Sequence, residues 1–205
     1  MEAAAWPPED DVSPALRKYT LFGVITAVIV LLDQLTKIWV RDNIELWRGK
    51  IEVIPGFFDL VYFVNTGAAF GVMQDDPDAM TKFLVFTVIA SIVMLGFLWW
   101  LPSEERFATA MMGSIFGGTI GNAIDRALYA GVTDFLRFYT DNGAISDWIY
   151  ENFHTREWPS FNIADSAIVV GVLAFLFQQL FFVDRGQTEA ELDDDELPDL
   201  DGALE

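Results

Sequence analysis

Apolar residues in this chain gather in long unbroken runs. Tyr19 to Leu32 carries no charge and continues through Asp33 and Lys37 to Val40. Phe83 to Leu101, Phe107 to Ile124 and Ser166 to Val183 each run about eighteen residues without a charge. A hydrocarbon core about 30 Å thick needs roughly 20 helical residues to cross it. With no water there to pair the backbone, such runs must be helical. The pattern predicts an all-α membrane protein with four spanning helices, at about 19–40, 81–101, 106–126 and 162–183.

Between the runs the period changes. Ile51-Glu52-Val53-Ile54 and Phe58 to Val64 are alternating and β-branched, and Pro55-Gly56 separates them. This predicts a small β-hairpin or sheet within residues 44–72. The segment Asp141 to Ser160 mixes Trp148, Ile149, Tyr150, Phe153 and Trp158 with polar residues. It reads as an interfacial helix or aromatic anchor, because indole and phenol rings favour the headgroup zone. Trp39 and Trp99-Trp100 read as belt residues. Gly113, Gly117 and Gly121 recur every four residues, a small-residue face for close helix approach.

Composition adds exclusions. Of 205 residues, 53% are hydrophobic, and there is no cysteine and one histidine. A disulfide, a thiol nucleophile and any site needing two histidines are therefore excluded. The first run ends in Asp33-Gln34 and lacks a small-residue cleavage site, so it reads as a retained span rather than a cleaved signal. The net charge is −19, and the tails 1–18 and 184–205 are acidic; residues 184 to 205 hold ten acids and one base. These tails read as solvated and disordered. No basic patch suggests nucleic-acid binding.

Ionisable groups near hydrocarbon need a reason. Asp33 and Lys37 are four apart and can pair along one helix face. Asn65-Thr66-Gly67-Ala68-Ala69-Phe70-Gly71 suits a loop lying close to another element. Gly118, Asn122, Asp125 and Arg126 end the third run, and Asp134-Phe135 follows. Asn162-Ile163-Ala164-Asp165 opens the fourth. Taken locally, that segment is a helix cap, Asn162 with Asp165 three residues on. Taken together, Asp134 and Asp165 are two acids at same-side ends of adjacent spans, with Asn partners nearby.

These blocks match, in order, those of the bacterial lipoprotein signal peptidases: Asp33-Gln34-x-x-Lys37, Asn65-x-Gly67-x-Ala69-Phe70, Gly118-x-x-x-Asn122-x-x-Asp125-Arg126, Val132-Thr133-Asp134-Phe135 and Phe161-Asn162-x-Ala164-Asp165. The chain resembles signal peptidase II over residues 33 to 168. The resemblance implies a membrane aspartic endopeptidase that needs no cofactor or metal and cuts prolipoproteins before the diacylglyceryl-modified cysteine. It implies residues 19–183 as the peptidase domain, Asp134 and Asp165 as the catalytic pair, and Asp33, Lys37, Asn65, Gly118, Asn122, Asp125, Arg126, Asn162 and Ala164 as supporting or substrate-binding residues. It further implies a monomer in the inner membrane, surrounded by lipid, with both termini cytoplasmic and the active site near the extracytoplasmic face. The count of Lys and Arg in the loops does not itself favour that orientation. The segment between Asp134 and Asp165 is longer than the family pattern.

Two carboxylates sharing one proton can activate water and protonate a leaving amine, because like charges about 3 Å apart cannot both ionise. Other intramembrane protease types fit poorly: His154 lies in a loop, no H-E-x-x-H occurs, and no Gly-x-Gly-Asp occurs. The rival of a different class is a small transporter or assembly factor whose buried acids carry ions or hold helices together.

Overall fold

The computed structural model describes residues 13–67, 78–153 and 158–183. Both acidic tails beyond these limits, His154, Arg156 and the motif residues 68–71 lie outside them. The chain forms α1 (Pro14–Asn43), β1 (Lys50–Ile54), β2 (Phe58–Asn65), α2 (Ala79–Trp100), α3 (Arg106–Tyr129), β3 (Val132–Phe138), α4 (Gly143–Phe153) and α5 (Ile163–Gln178), which continues as a π-helical turn, Gln179–Val183.

Among the described residues three helices are long and apolar enough to cross a membrane: Pro14–Asn43, Met80–Trp100 and Ile163–Phe181. Their outer faces stay uncovered by protein; Phe86, Ile92 and Val93 on α2 and Leu173 and Phe177 on α5 are exposed. Such exposure is costly in water and favourable in lipid. The fourth expected span, α3, has the length but not the hydropathy. The cause lies in its surroundings: α3 packs against α1, α5 and α2. Gly113, Gly117, Gly118, Gly121, Asn122 and Asp125 are all buried in those contacts. A helix enclosed by others can carry small and polar residues that a lipid-facing one cannot.

The glycine stripe is explained at atomic level. A Cβ on Gly117 would lie 2.8 Å from Cβ of Ile29, and one on Gly121 would lie 2.6 Å from Oδ2 of Asp33. The stripe therefore seats α3 directly on α1. Gly118, one residue off it, faces α5, where a side chain would collide with the carbonyl oxygen of Ala164. At the opposite end of the bundle the buried Lys18 donates to the carbonyls of Leu98 (2.9 Å) and Leu101 (2.8 Å), closing the C-terminal end of α2.

The expected hairpin is present but belongs to a three-stranded antiparallel sheet in the order β1-β2-β3. Gly56 supplies the positive φ of 73° in its turn. The small sheet or hairpin expected between the first two helices is thus a sheet completed by a third strand from beyond α3, and the all-α expectation is corrected to a mostly helical fold with a small sheet. Helix α3 ends at Ala130, in the left-handed region at φ 57°, and Gly131 turns the chain directly into β3. The strand pairs with β2 through Phe58↔Phe138, Phe63↔Asp134 and Asn65↔Val132. Phe161 bonds back to Leu136 in both directions (2.8 and 3.1 Å). That clamp carries the start of α5 to the side of β3. Helix α1 begins at Pro14, capped by Ser13, five residues before the charge-free run.

Candidate active site

The local cap forms as the sequence suggests. Asn162 accepts from the backbone N–H of Asp165 (2.9 Å), and the Asp165 carboxylate accepts from the N–H of Asn162 (3.2 Å). This capping box satisfies two donors at the start of α5. It does not exhaust either side chain. The Asn162 amide donates to Oδ1 of Asp134 at 2.8 Å and lies 3.2 Å from Oδ1 of Asn122. The other oxygen of Asp165 accepts from the Asn122 amide at 2.7 Å.

Asp134 reaches this cluster from the sheet. Its Oδ2 accepts from the amide of Asn65 on the neighbouring strand at 3.2 Å, a diagonal cross-strand pair. Asp134 is only 4% exposed. Burial, and then the negative charge of Asp165, push its carboxyl up to about 7, against the pull of the Asn65 and Asn162 amides. Both acids line one cleft of roughly 750 Å³. Arg126 and Asn122 share its polar end, while Trp47, Phe63, Ile168 and Val169 supply apolar walls. The Arg126 guanidinium lies over the ring of Phe83 at 4.5 Å, tying the site to α2.

Behind the cleft lies a second set of charges, in which Asp33, Lys37 and Asp125 are fully buried. Lys37 sits 2.8 Å from Asp33 and 3.5 Å from Asp125, and Arg41 sits 3.4 Å from Asp125. Lys37 also donates to the Asn122 side chain at 2.9 Å, so the ion pair orients the amide that holds Asp165. Asp33 accepts from the N–H of Ala164 at 3.0 Å, fixing the first turn of α5. Asp125 accepts from the N–H of Thr133 at 2.8 Å.

Every expected site residue therefore falls in one connected region, in two layers. Asp134, Asp165, Asn65, Asn122, Arg126 and Asn162 meet at or beside the cleft. Asp33, Lys37, Asp125, Gly118 and Ala164 pack behind it. Three participants were missed as site residues: Gln34, whose amide bridges Asp33, the Gly121 carbonyl and Asp125, together with Arg41 and Thr133. Gln34 and Thr133 stood within the quoted motifs; nothing local in the sequence marks Arg41. Among the described residues no group of three or more His, Cys, Asp or Glu is placed to hold a metal.

This arrangement offers a partly dehydrated pocket with two adjacent carboxyls, amide donors on each and no salt bridge to either among the described residues. Comparison with known proteins places the chain in a family. The family model for signal peptidase (SPase) II matches residues 25–181. The lipoprotein signal peptidase of Maridesulfovibrio salexigens is 42% identical over 163 residues, covering 78% of this chain and 96% of that protein. That of Rhodopseudomonas palustris strain TIE-1 is 40% identical over 160 residues, covering 77% and 91%. A solved structure described as a bacterial membrane enzyme, determined by the in meso method at 2.3 Å, superposes with a TM-score of 0.62 at 28% identity, covering 78% of this chain and 88% of that one. With the fold, the motif order and these relatives in agreement, the chain belongs to the signal peptidase II family.

Proposed function

We propose that the protein removes signal peptides from prolipoproteins as an aspartic endopeptidase, cutting before the diacylglyceryl-modified cysteine with a water held between Asp134 and Asp165. The observation that carries this reading is the placement of both acids on one cleft, joined through Asn162. A carboxyl that keeps its proton to about 7 can donate to the scissile carbonyl. The partner carboxylate takes a proton from water as it attacks. The roles reverse as the C–N bond breaks: the partner acid gives the proton it took from water to the departing nitrogen, and the first acid, now a carboxylate, takes back its proton from the hydroxyl formed on the carbonyl carbon. Such a pair titrates as a unit.

Asn122 and Asn162 orient the two acids, and Arg126 offers a cation at the cleft edge for peptide carbonyls or the developing charge. The apolar walls suit the substrate's acyl chains, which stay in lipid between the helices. The sheet lies over the peptide from the water side. In this reading α3 is a fourth span, shielded by its neighbours, and residues 19–183 form the catalytic domain. Both termini are cytoplasmic, and the cleft opens near the extracytoplasmic face of the inner membrane. Exposed Trp148 and Trp158 then sit at headgroup level on that side, with Trp99 and Trp100 at the other.

The test is direct. Purified protein should cleave a diacylglyceryl-modified prolipoprotein, and Asp134→Asn should abolish turnover while the protein stays folded. Cleavage that survives Asp134→Asn would sink the assignment.

A further inference from the structure

Two cations stand behind the cleft, Lys37 buried and Arg41 largely so, and each leads to one of its acids. Lys37 donates to Asn122, which donates to Asp165. Arg41 leads the other way. Its Nη1 donates to the hydroxyl of Thr133 at 2.9 Å and lies 3.4 Å from Oδ1 of Asp125. Asp125 in turn holds the backbone N–H of the same threonine at 2.8 Å. Thr133 is thus gripped at both its side chain and its main chain, immediately before Asp134. It is 2% exposed, so water does not compete for either bond.

The guanidinium is fixed independently. It stacks on the ring of Tyr129 at 4.2 Å, on the last turn of α3. Its Nη2 is buried with no hydrogen-bond partner, and leaving a buried charged donor unmatched is costly. If the arginine served only to neutralise Asp125, a better-satisfied cation would serve the fold more cheaply. Its Nη1 alone instead reaches both an acid on α3 and a hydroxyl on β3. That joins the helix carrying Asn122 to the strand carrying Asp134 across the Ala130-Gly131 turn.

We propose that Arg41 is a positioning residue for Asp134, acting through Thr133. The proposal rests on the reading of Asp134 and Asp165 as the catalytic pair. Arg41 does not touch the cleft; it sets where β3 leaves the Asp134 carboxyl relative to Asp165.

The experiment measures kcat and KM of the full-length protein on a diacylglyceryl-modified prolipoprotein for Arg41→Met, Thr133→Val, the double variant and Arg41→Lys. A misplaced catalytic group costs roughly ten- to a hundredfold in rate. Arg41→Met and Thr133→Val should each lower kcat by about that factor with KM nearly unchanged, as expected when only the chemical step suffers. The double variant should be no slower than Arg41→Met, because both changes break the same link. Arg41→Lys should recover part of the loss, since an ammonium can still meet one of the two partners. Wild-type kcat in Thr133→Val, losses that multiply in the double variant, or an effect confined to KM would each overturn the proposal. Should Arg41→Met fail to accumulate, Thr133→Val decides alone, since it leaves every charge in place. Asp134→Asn in the same assay separates the two readings. Turnover surviving that change sinks the catalytic pair, whereas a dead Asp134→Asn beside unaffected Arg41 and Thr133 variants sinks only the positioning role.

Discussion

Two pairs of aspartates belong to one connected region of this protein, and their surroundings differ in kind. Asp33 and Asp125 are fully buried and matched by Lys37 and Arg41. Asp134 and Asp165 face a cleft and, among the described residues, accept hydrogen bonds from amides alone, while the charge of Asp165 bears on Asp134. An acid matched by buried cations holds its neighbours in place and serves as a brace. An uncompensated one can take up and release a proton in the range where enzymes work. In the proposed mechanism the distinction between supporting and reacting acids is therefore one of neighbours, since all four side chains are identical.

The largest effect that would break this comparison is on turnover. Asp134→Asn and Asp165→Asn should each lower kcat by on the order of a thousandfold or more, as expected for loss of a general acid or base. Their thermal unfolding midpoints in detergent should stay level, and for Asp134→Asn should rise above pH 7, where the native carboxylate is the disfavoured form. Asp33→Asn and Asp125→Asn should behave in the opposite manner. Each strips a buried cation of a partner and should cost about 3–5 kcal/mol of stability, read as a lower midpoint and less folded protein. If all four variants lose stability alike, the division into braces and reactants fails.

Acidity sharpens the same contrast. The Asp134 carboxyl is raised from 3.8 to about 7 by burial and by the Asp165 charge. A raised carboxyl favours the protonated native state. Its contribution to stability is complete below about 4 and is lost as pH rises through about 7. Turnover that needs the shared proton should decline through the same upper range. A pH profile of kcat flat from 6 to 9 would contradict that requirement.

Glycines give the smallest test. Gly118→Ala would press against the Ala164 carbonyl, one residue from Asp165. It should destabilise by about 1–3 kcal/mol, the range for overpacking, and reduce activity as α5 is displaced. Gly23→Ala meets nothing within 4 Å on the lipid-facing side of α1. It should be neutral or slightly stabilising, by up to about 1 kcal/mol, from helix propensity. Equal behaviour of the two would mean that the α3–α5 contact is not close.

Part of this was legible in the residues themselves. Charge-free runs marked α1, α2 and α5 because lipid imposes a composition on any helix it touches. The Asn162–Asp165 cap and the Asp33–Lys37 pair were visible because each is local, three or four residues apart. Strand β3 was not recognised, although Val132 to Phe138 is rich in β-formers; its partner β2 lies some seventy residues away, and a neighbouring helix masked the change of period. Arg41 was invisible for a related reason. Its partners Asp125 and Thr133 are more than eighty residues distant, and an arginine just past an apolar run reads as a membrane-edge charge.

The sequence alone thus marked α1, α2 and α5 as apolar enough to meet lipid, showed how α5 begins, and, through the order of its motifs, which family the chain resembles. It could not rank Asp125 against Asp134 by chemistry, since both follow the third run closely. The tertiary structure made that division, by seating α3 on α1 through the glycine stripe so that Lys37 and Arg41 neutralise Asp125. It then turned the chain at Ala130-Gly131 and paired Leu136 with Phe161, which leaves Asp134 beside Asp165 with no cation between them. Local sequence fixes what each side chain is; only the fold determines which charges are cancelled and which are left to react.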